Sequence, residues 1–176
     1  MRSVYSAVLL SIVALALAAC SGSRDQAVGH LNCPAAFIAP GLDAYTMFRP
    51  GVTPTTNAND IVFGVKFVSV QSVCHSEPEG IRVDTSLTFF AVRNDDNFRQ
   101  GDFTYFVAVA DARQNIVAKQ NFALRVDFAP RQKQMRIFDE ITEHLPLKNV
   151  SLGSNYAIIV GLQVSRQQLD LNRRRE

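Results

Sequence analysis

The chain has 176 residues, 47% of them hydrophobic, with 18 Lys and Arg against 16 Asp and Glu. This near balance of charge gives no argument for binding to nucleic acid. The chain contains no Trp, so it lacks the core tryptophan that is typical of antibody domains. The length suits one domain of ordinary size behind an N-terminal leader.

The first twenty residues have the pattern of a secretory leader. Arg2 supplies a positive charge, Ala7–Leu17 is an apolar run, and the small residues Ala18 and Ala19 precede Cys20. The run is too short for a comfortable transmembrane helix, which needs about 20 apolar residues. The pattern predicts export from the cytoplasm.

The four residues Leu17-Ala18-Ala19-Cys20 resemble the lipobox of bacterial lipoprotein precursors. The resemblance implies cleavage between Ala19 and Cys20, removal of residues 1–19, and acyl chains on Cys20. It also implies transfer to the outer membrane, facing the periplasm, because Ser21 rather than Asp follows the cysteine. An ordinary signal peptide, or a cytoplasmic protein with an apolar N-terminal helix, would be the alternatives.

Residues 20–32 are small and polar, which predicts a lipidated tether, and residues 33–176 are expected to form a single domain. With Cys20 acylated, Cys33 and Cys74 remain. An exported protein meets an oxidising compartment, so we expect these two cysteines to form a disulfide. Two buried free thiols or a metal site are the alternatives.

Apolar residues at every second position predict strands over several segments of the domain. The segments with this alternation, in chain order, are Ile61–Phe67, Arg82–Val92, Ala118–Phe128 and Tyr156–Val164. Phe103–Ala110 is apolar on both faces, which predicts a central strand that is covered on both sides. The polar stretches Glu77–Gly80, Arg93–Asn97 and Asp111–Asn115 between them are expected to be turns or loops. Arg131–Glu143 fits either a strand or a helix, and Pro50–Asn59 is expected to be a surface loop.

Ser165 and Gln168 have the spacing of a capping box, which predicts a short helix from Arg166 to about Asn172. Many short strands joined by polar turns, with one short helix, predict an all-β fold. The expected fold is an antiparallel β-sandwich of the immunoglobulin or fibronectin kind with a C-terminal helix, and a small barrel is the alternative.

The body also resembles small uncharacterised lipoproteins of bacterial envelopes. The resemblance lies in the strand-turn-strand Tyr105–Phe122 and in Tyr156–Gln163 followed by Leu169–Arg173. These proteins have no known activity that the resemblance could carry over to this chain.

Side chains that carry chemistry are few. The histidines are His30, His75 and His144, and their spacing does not predict a metal site. His75 and His144 are expected at the surface beside Glu77 and Glu143. Since neither a G-x-S-x-G elbow nor a phosphate-binding glycine loop is present, the sequence predicts no catalytic residue, no cofactor and no metal.

Aromatic residues in polar surroundings are the candidates for a binding surface. Tyr45, Phe48, Phe98 and Phe103 could bind sugars or a protein partner, although Phe48 and Phe103 are more readily explained as plugs at the ends of the sandwich. The basic run Arg173–Arg175 could contact lipid or glycan, or end the chain in solvent.

We therefore expect a non-catalytic envelope protein that is held to the membrane by its acyl chains. It would act as an interaction or assembly module on another envelope protein, and not on nucleic acid. A periplasmic ligand-binding protein or a hydrolase, with a cleft between its strands, is the alternative.

Overall fold

The computed structural model describes residues 32–55 and 57–175. The leader, Ala19, Cys20 and most of the tether lie outside these residues. In the described part, eight strands are followed by one α-helix, α1, and two 3-10 helices cover Ala58–Asp60 and Val150–Asn155. The strands are β1 (Ala35–Ile38), β2 (Ala44–Phe48), β3 (Ile61–Glu77), β4 (Gly80–Arg93), β5 (Gln100–Ala110), β6 (Ile116–Asp127), β7 (Gln134–Pro146) and β8 (Ala157–Leu162), and α1 is Arg166–Arg173.

The strands form two sheets packed face to face. One sheet has the order β1-β8-β5-β6, and the other has the order β2-β3-β4-β7. Neighbouring strands are antiparallel except for β1, which runs parallel to β8. The predicted all-β sandwich with a short C-terminal helix is confirmed, and the barrel alternative is wrong.

The connections between the sheets follow the immunoglobulin pattern. Strands β3, β4 and β7 lie side by side, as strands A, B and E do in that fold, and β5 lies beside β8 as C lies beside F. β6 takes the place next to β5 that C′ occupies in variable domains. The departures are at β1, which occupies the outer place beside β8 and runs parallel to it, and at β2, which lies on the outer side of β3.

The core lies between the sheets and follows the predicted alternation. In β4, the inward positions are buried at Val83, Leu87, Phe89 and Ala91, as the sequence predicts. The other sheet contributes the predicted inward residues of β8 and the inward end of β6. The main members from these two strands are Ile158, Val160, Leu162 and Val126, and Phe128, directly after β6, joins them.

Two strands were not predicted from the sequence, and the prediction for a third was ambiguous. β1 and β2 have only four and five residues, too few for alternation to be recognised. The ambiguous segment Arg131–Glu143 contains most of β7, which ends at Pro146. Its alternating half-buried and exposed residues are those of a strand with one face toward the core.

Arg93 continues the inward-facing series of β4 and is only 2% exposed. Its guanidinium donates to the carbonyl oxygens of Gln132 at 2.5 Å, Asp96 at 2.8 Å and Phe98 at 2.7 Å, and it lies 5.6 Å from the Phe128 ring centre. A buried cation is costly unless its donors are bonded. Arg93 therefore fixes the two loops that precede β5 and β7.

One long side of the sandwich, which we call the closed side, is bridged by residues 39–48, α1 and a disulfide. The Leu162 amide donates to the Leu42 carbonyl at 2.7 Å and the Phe67 amide to the Asp43 carbonyl at 2.8 Å, so this segment bonds to both sheets. Strand β2 follows and forms the edge of its sheet on this side.

Helix α1 covers the outer edge of β2 with two buried amide side chains. Asn172 donates to the carbonyls of Gly41 at 2.9 Å and Ala44 at 2.7 Å, and Gln168 donates to the carbonyl of Thr46. The Ser165 hydroxyl accepts from the Gln168 amide at 3.2 Å, as the predicted N-cap requires. The helix therefore satisfies edge carbonyls that another strand would otherwise bind.

The predicted disulfide is present. Cys33 is bonded to Cys74 in the second half of β3, across a sequence separation of 41 residues. It ties the start of the domain to the sheet that contains β3.

We expect that replacing both Cys33 and Cys74 by Ala lowers the free energy of unfolding by about 4 kcal/mol, because closing a loop of this length restricts the unfolded chain. Urea unfolding of the oxidised protein, the reduced protein and the double variant would measure the difference. Reductant should have no further effect on the double variant. An unchanged unfolding midpoint after verified reduction would contradict the expectation.

Candidate functional site

Strands β6 and β7 border the side of the sandwich opposite the closed side, and we call this the open side. β6 pairs with β5 and β7 pairs with β4; in residues 32–55 and 57–175, no further strand pairs with either. The two edges are long, at 12 and 13 residues, compared with four and five in β1 and β2. Long edges with exposed peptide groups favour pairing with a strand of another chain.

The direction of the peptide groups in these edges follows from the hydrogen bonds at their ends. The Arg93 amide donates to the Lys133 carbonyl at 2.9 Å. The peptide groups of odd-numbered β7 residues therefore bond to β4, and those of even-numbered residues point away from β4 at the sheet edge. In β6, the Phe128 amide donates to the Arg99 carbonyl at 2.8 Å. The backbone N–H and C=O groups of odd-numbered residues such as Ala123 therefore point away from β5.

Exposed apolar side chains lie on both edges. Phe138 of β7 is 71% exposed, the highest value among the large exposed apolar residues of the described chain, and Ile116 and Val117 begin β6 with about half of each side chain exposed. The large apolar residues of a strand edge that remain exposed are candidates for contact with a partner.

Between the two edges, the inner wall of the open side combines aromatic and acidic groups. The Tyr105 ring stacks on Phe122, with ring centres 5.0 Å apart, and the Tyr105 hydroxyl donates to the Asp139 carboxylate at 2.7 Å. Burial, and then the bond to this carboxylate, raise the pKa of Tyr105 far above its ordinary value. The phenol therefore stays protonated and holds β5 against β7.

Farther along the open side is a cavity of about 260 Å³. Its lining is mainly apolar and includes the Glu143 carboxyl; the lining residues are Val109, Val117, Ala118, Glu143, His144, Leu145, Pro146, Leu147 and Tyr156. Burial raises the pKa of Glu143, and the nearby His144 partly opposes that effect. This is the acidic group in a cleft that the alternative function requires.

The two predicted surface histidines lie on the outer face of the β2-β3-β4-β7 sheet, beside acidic residues. His144 Nδ1 is 3.1 Å from Glu77 Oε2, and His75 Nε2 is 3.4 Å from Asp84 Oδ2. Neither histidine pairs with the acidic residue that is its neighbour in the sequence. Glu143 points to the cavity while His144 points outward, so these two side chains lie on opposite sides of the sheet. The register explains this, since β4 and β7 place His144 opposite Arg82, which is itself opposite His75.

Asp84 is the centre of this outer cluster. Thr142 donates to Asp84 Oδ1 at 2.8 Å and Arg82 donates to Oδ2 at 3.2 Å. The Thr142 hydrogen bond, followed by the charges of Arg82 and His75, lowers the pKa of Asp84. In the described residues, no three His, Cys, Asp or Glu side chains are placed to hold a metal ion.

The aromatic binding candidates contribute mainly to packing. Phe103 is buried, Phe98 stacks on Phe63 at 5.4 Å between ring centres, and Tyr45 meets Phe63 edge-on at 6.4 Å. Phe48 is half-buried at the end of β2. Burial, and secondly the charge of Asp102, raise the pKa of Tyr45, which lines a shallow depression of about 580 Å³ together with Asp102, Arg125 and Gln163.

In the C-terminal basic run, Arg173 is the last residue of α1, and the Arg175 guanidinium donates to the Thr55 carbonyl at 3.1 Å. At least one of the three arginines is therefore bonded to the domain itself. In the described ranges, no helix is long and apolar enough to span a bilayer.

Comparison with known proteins gives only distant structural likenesses. No family model and no curated protein matches the sequence. A solved DUF1425 family member from Shewanella sp. pv-4 is 12% identical, with a TM-score of 0.30, over 69% of this chain and 99% of the other. A β-glucuronidase from glycoside hydrolase family 2 is 13% identical, with a TM-score of 0.28, over 43% of this chain. The match spans 7% of the length of that enzyme, and neither likeness supports an argument about function.

The raised pKa of Glu143 leads to a prediction about stability. A carboxyl whose pKa is raised by folding stabilises the fold most when it is protonated, and that contribution is lost as the pH rises through the folded-state pKa. Glu143→Gln should therefore be more stable than the native chain near pH 8. Its advantage should shrink below the ordinary pKa of 4.5, where both side chains are neutral.

Urea unfolding at several pH values would measure this difference, and Glu79→Gln in the exposed turn between β3 and β4 provides the control for loss of one negative charge. An advantage of Glu143→Gln that is equally large at acid and alkaline pH would contradict the assignment to proton binding.

Proposed function

We propose that this chain is a lipid-anchored, non-catalytic interaction module of the bacterial cell envelope, in which a partner protein adds a strand to the open side. The observation that carries the proposal is the contrast between the two sides. The edge of β2 is bonded by α1, while β6 and β7 present long rows of outward peptide groups with exposed apolar residues beside them. Strand addition uses such an edge for affinity and the neighbouring side chains for specificity.

The lipid anchor in this proposal is Cys20, which the lipobox resemblance identifies, after cleavage following Ala19. Acyl chains contribute roughly 0.8 kcal/mol per buried methylene, so two or more chains would give durable attachment. The Cys33–Cys74 disulfide supports this proposal, because such bonds persist in the oxidising periplasm and are rare in the cytoplasm. The outer membrane, facing the periplasm, is the proposed location.

A second candidate is a periplasmic ligand-binding protein or hydrolase that uses the cavity beside Glu143. The raised pKa of that carboxyl favours it. However, the volume of about 260 Å³ is below the usual range of ligand pockets, which begins near about 300 Å³. The His144 imidazole points away from the cavity and lies 3.1 Å from Glu77 on the outer face of the sheet. We therefore favour the interaction module.

The anchor can be tested with Cys20→Ala in the native host. We expect the variant to leave the membrane fraction, because it has no thiol to acylate, and mass spectrometry of the native N-terminus should find acyl chains on Cys20. Ser21→Ala is the control and should remain membrane-bound. A native chain whose N-terminus bears no lipid would contradict the anchor.

Strand addition at β6 can be tested with a photoreactive residue in place of Val117, which should form an adduct with another envelope protein. Ala123→Pro should abolish the adduct, because it removes an outward N–H without removing a bond to β5. Ala123→Val keeps the N–H and should preserve the adduct. An adduct that is equally abundant in the proline variant would contradict strand addition at β6.

A further inference from the structure

Strand β7 is complementary to a second copy of itself, and this feature defines one occupant of the open side. Its even-numbered residues carry the outward peptide groups and place their side chains on the exposed outer face of the sheet. Antiparallel pairing of two β7 strands about Phe138 places Phe138 opposite Phe138 of the second copy. The same register places Arg136 opposite Glu140, twice.

We propose that the chain forms a symmetric dimer through antiparallel pairing of β7 with β7 of a second copy, centred on Phe138. This inference rests on the proposed function, since it names one partner at the open side and leaves β6 for a different protein. The two β2-β3-β4-β7 sheets become one continuous sheet of eight strands, which is within the range of open sheets. A twofold axis makes each contact occur twice.

The direction of the peptide groups permits this register. Positions 134, 136, 138, 140 and 142 all point outward, and each lies opposite another member of the same series when Phe138 is central. The two Phe138 residues then exchange both of their backbone hydrogen bonds. Register shifts by a single residue would place outward groups opposite inward ones and remove these bonds.

The side chains favour the same register. Phe138 is the most exposed of the large exposed apolar residues, and its pairing with a second Phe138 buries both rings. The two Arg136–Glu140 pairs each bring opposite charges together across the strands, while on the inner side Met135 lies opposite Ile141. Glu140 accepts a bond from Ser86 at 3.3 Å, which leaves its second oxygen for the arginine.

Strand β6 is less suited to self-pairing. Its cations are already engaged within the chain, because Arg125 donates to Asp102 at 2.8 Å and Lys119 lies 4.4 Å from the Phe106 ring centre. Strand β7 has the more exposed apolar residue, Phe138, and it carries Arg136 and Glu140 at equal distances on either side of Phe138. The dimer is therefore assigned to β7.

Cysteine cross-linking of the full chain in native membranes tests the inference. Residues in a hydrogen-bonded antiparallel pair have Cα atoms about 5.5 Å apart. This distance suits a disulfide, whose Cα atoms are roughly 4.4–6.8 Å apart. Phe138→Cys should therefore form a covalent homodimer under mild oxidation, whereas the native chain should not. Val73→Cys is the matched control, since Val73 is 61% exposed on the same sheet but lies on an interior strand.

The register is tested by two further variants. Arg136→Cys and Glu140→Cys should each fail to form homodimers, because four residues, about 13 Å, separate the identical positions. Expressed together, the two variants should cross-link to one another. Arg136→Glu in the Phe138→Cys background should lower the yield of dimer at least about threefold, and adding Glu140→Arg should restore it.

Other results overturn the inference in distinguishable ways. Phe138→Cys adducts with a different protein, without homodimer, reject self-pairing but retain the proposed interaction module. Equal cross-linking of Phe138→Cys and Val73→Cys shows random encounter and rejects the dimer. Folded chains with the Cys33–Cys74 bond intact also reject the dimer if they give neither the Phe138→Cys homodimer nor the mixed adduct of Arg136→Cys with Glu140→Cys, in which Phe138 is retained. The Val117 adduct tests the proposed function separately.

Discussion

The structure depends on one requirement, that the peptide groups at the edge of a sheet need hydrogen-bond partners. On the closed side the chain supplies these partners itself, because the side-chain amides of Asn172 and Gln168 donate to the carbonyls of Ala44 and Thr46 in β2. Each such bond contributes about 1 kcal/mol net, but leaving a buried carbonyl without a partner costs more. The short C-terminal helix is therefore a cover for an edge, and the sheet can be extended at β7.

The exposed edge of β7 is also accompanied by acidic groups that face inward on the open side. Asp139 and Glu143 of β7 point toward the gap between the sheets, where Tyr105 binds one of them and an apolar cavity surrounds the other. Inward-pointing charges on an edge strand discourage indiscriminate pairing. Together with Phe138 and the charges on either side of it, they would restrict β7 to a partner of matching register, and this converts an aggregation hazard into a specific contact.

Much of the fold could be predicted because burial on one face imposes a period of two. The alternation in β4, β6 and β8 gave the correct inward residues, and it also places Arg93 on the core face, although its polarity suggested a loop. β1 and β2 were missed because four or five residues are too short for a period, and β7 was ambiguous because its inward face includes Asp139 and Glu143. The disulfide was predicted from the number of cysteines and the expected oxidising compartment.

The open side could not be predicted, since an edge is defined by which strands are absent beside it, and that depends on topology. His144 beside Glu77 and Tyr105 on Asp139 are contacts across 67 and 34 residues, which no local pattern encodes. The sequence does carry one signal in β7, which is the apolar residue Phe138 at an even position whose even-numbered neighbours are polar. That signal becomes interpretable only after the register with β4 is known.

The proposed anchor and the proposed dimer together constrain how the domain meets a membrane. Cys33 is bonded to Cys74, which lies level with Glu143 through Val83, about five residues or 17 Å from Phe138 along β7. In a dimer centred on Phe138, the two points of entry are therefore roughly 35 Å apart along the strands. Strands standing upright would force one stretch from Cys20 to Asn32 toward its full reach of about 40 Å, at a large cost in chain entropy. If both proposals hold, strands lying along the bilayer would bring the Cys33 of each copy to a similar height above the lipid, because the twofold axis would turn the same face of each copy toward it.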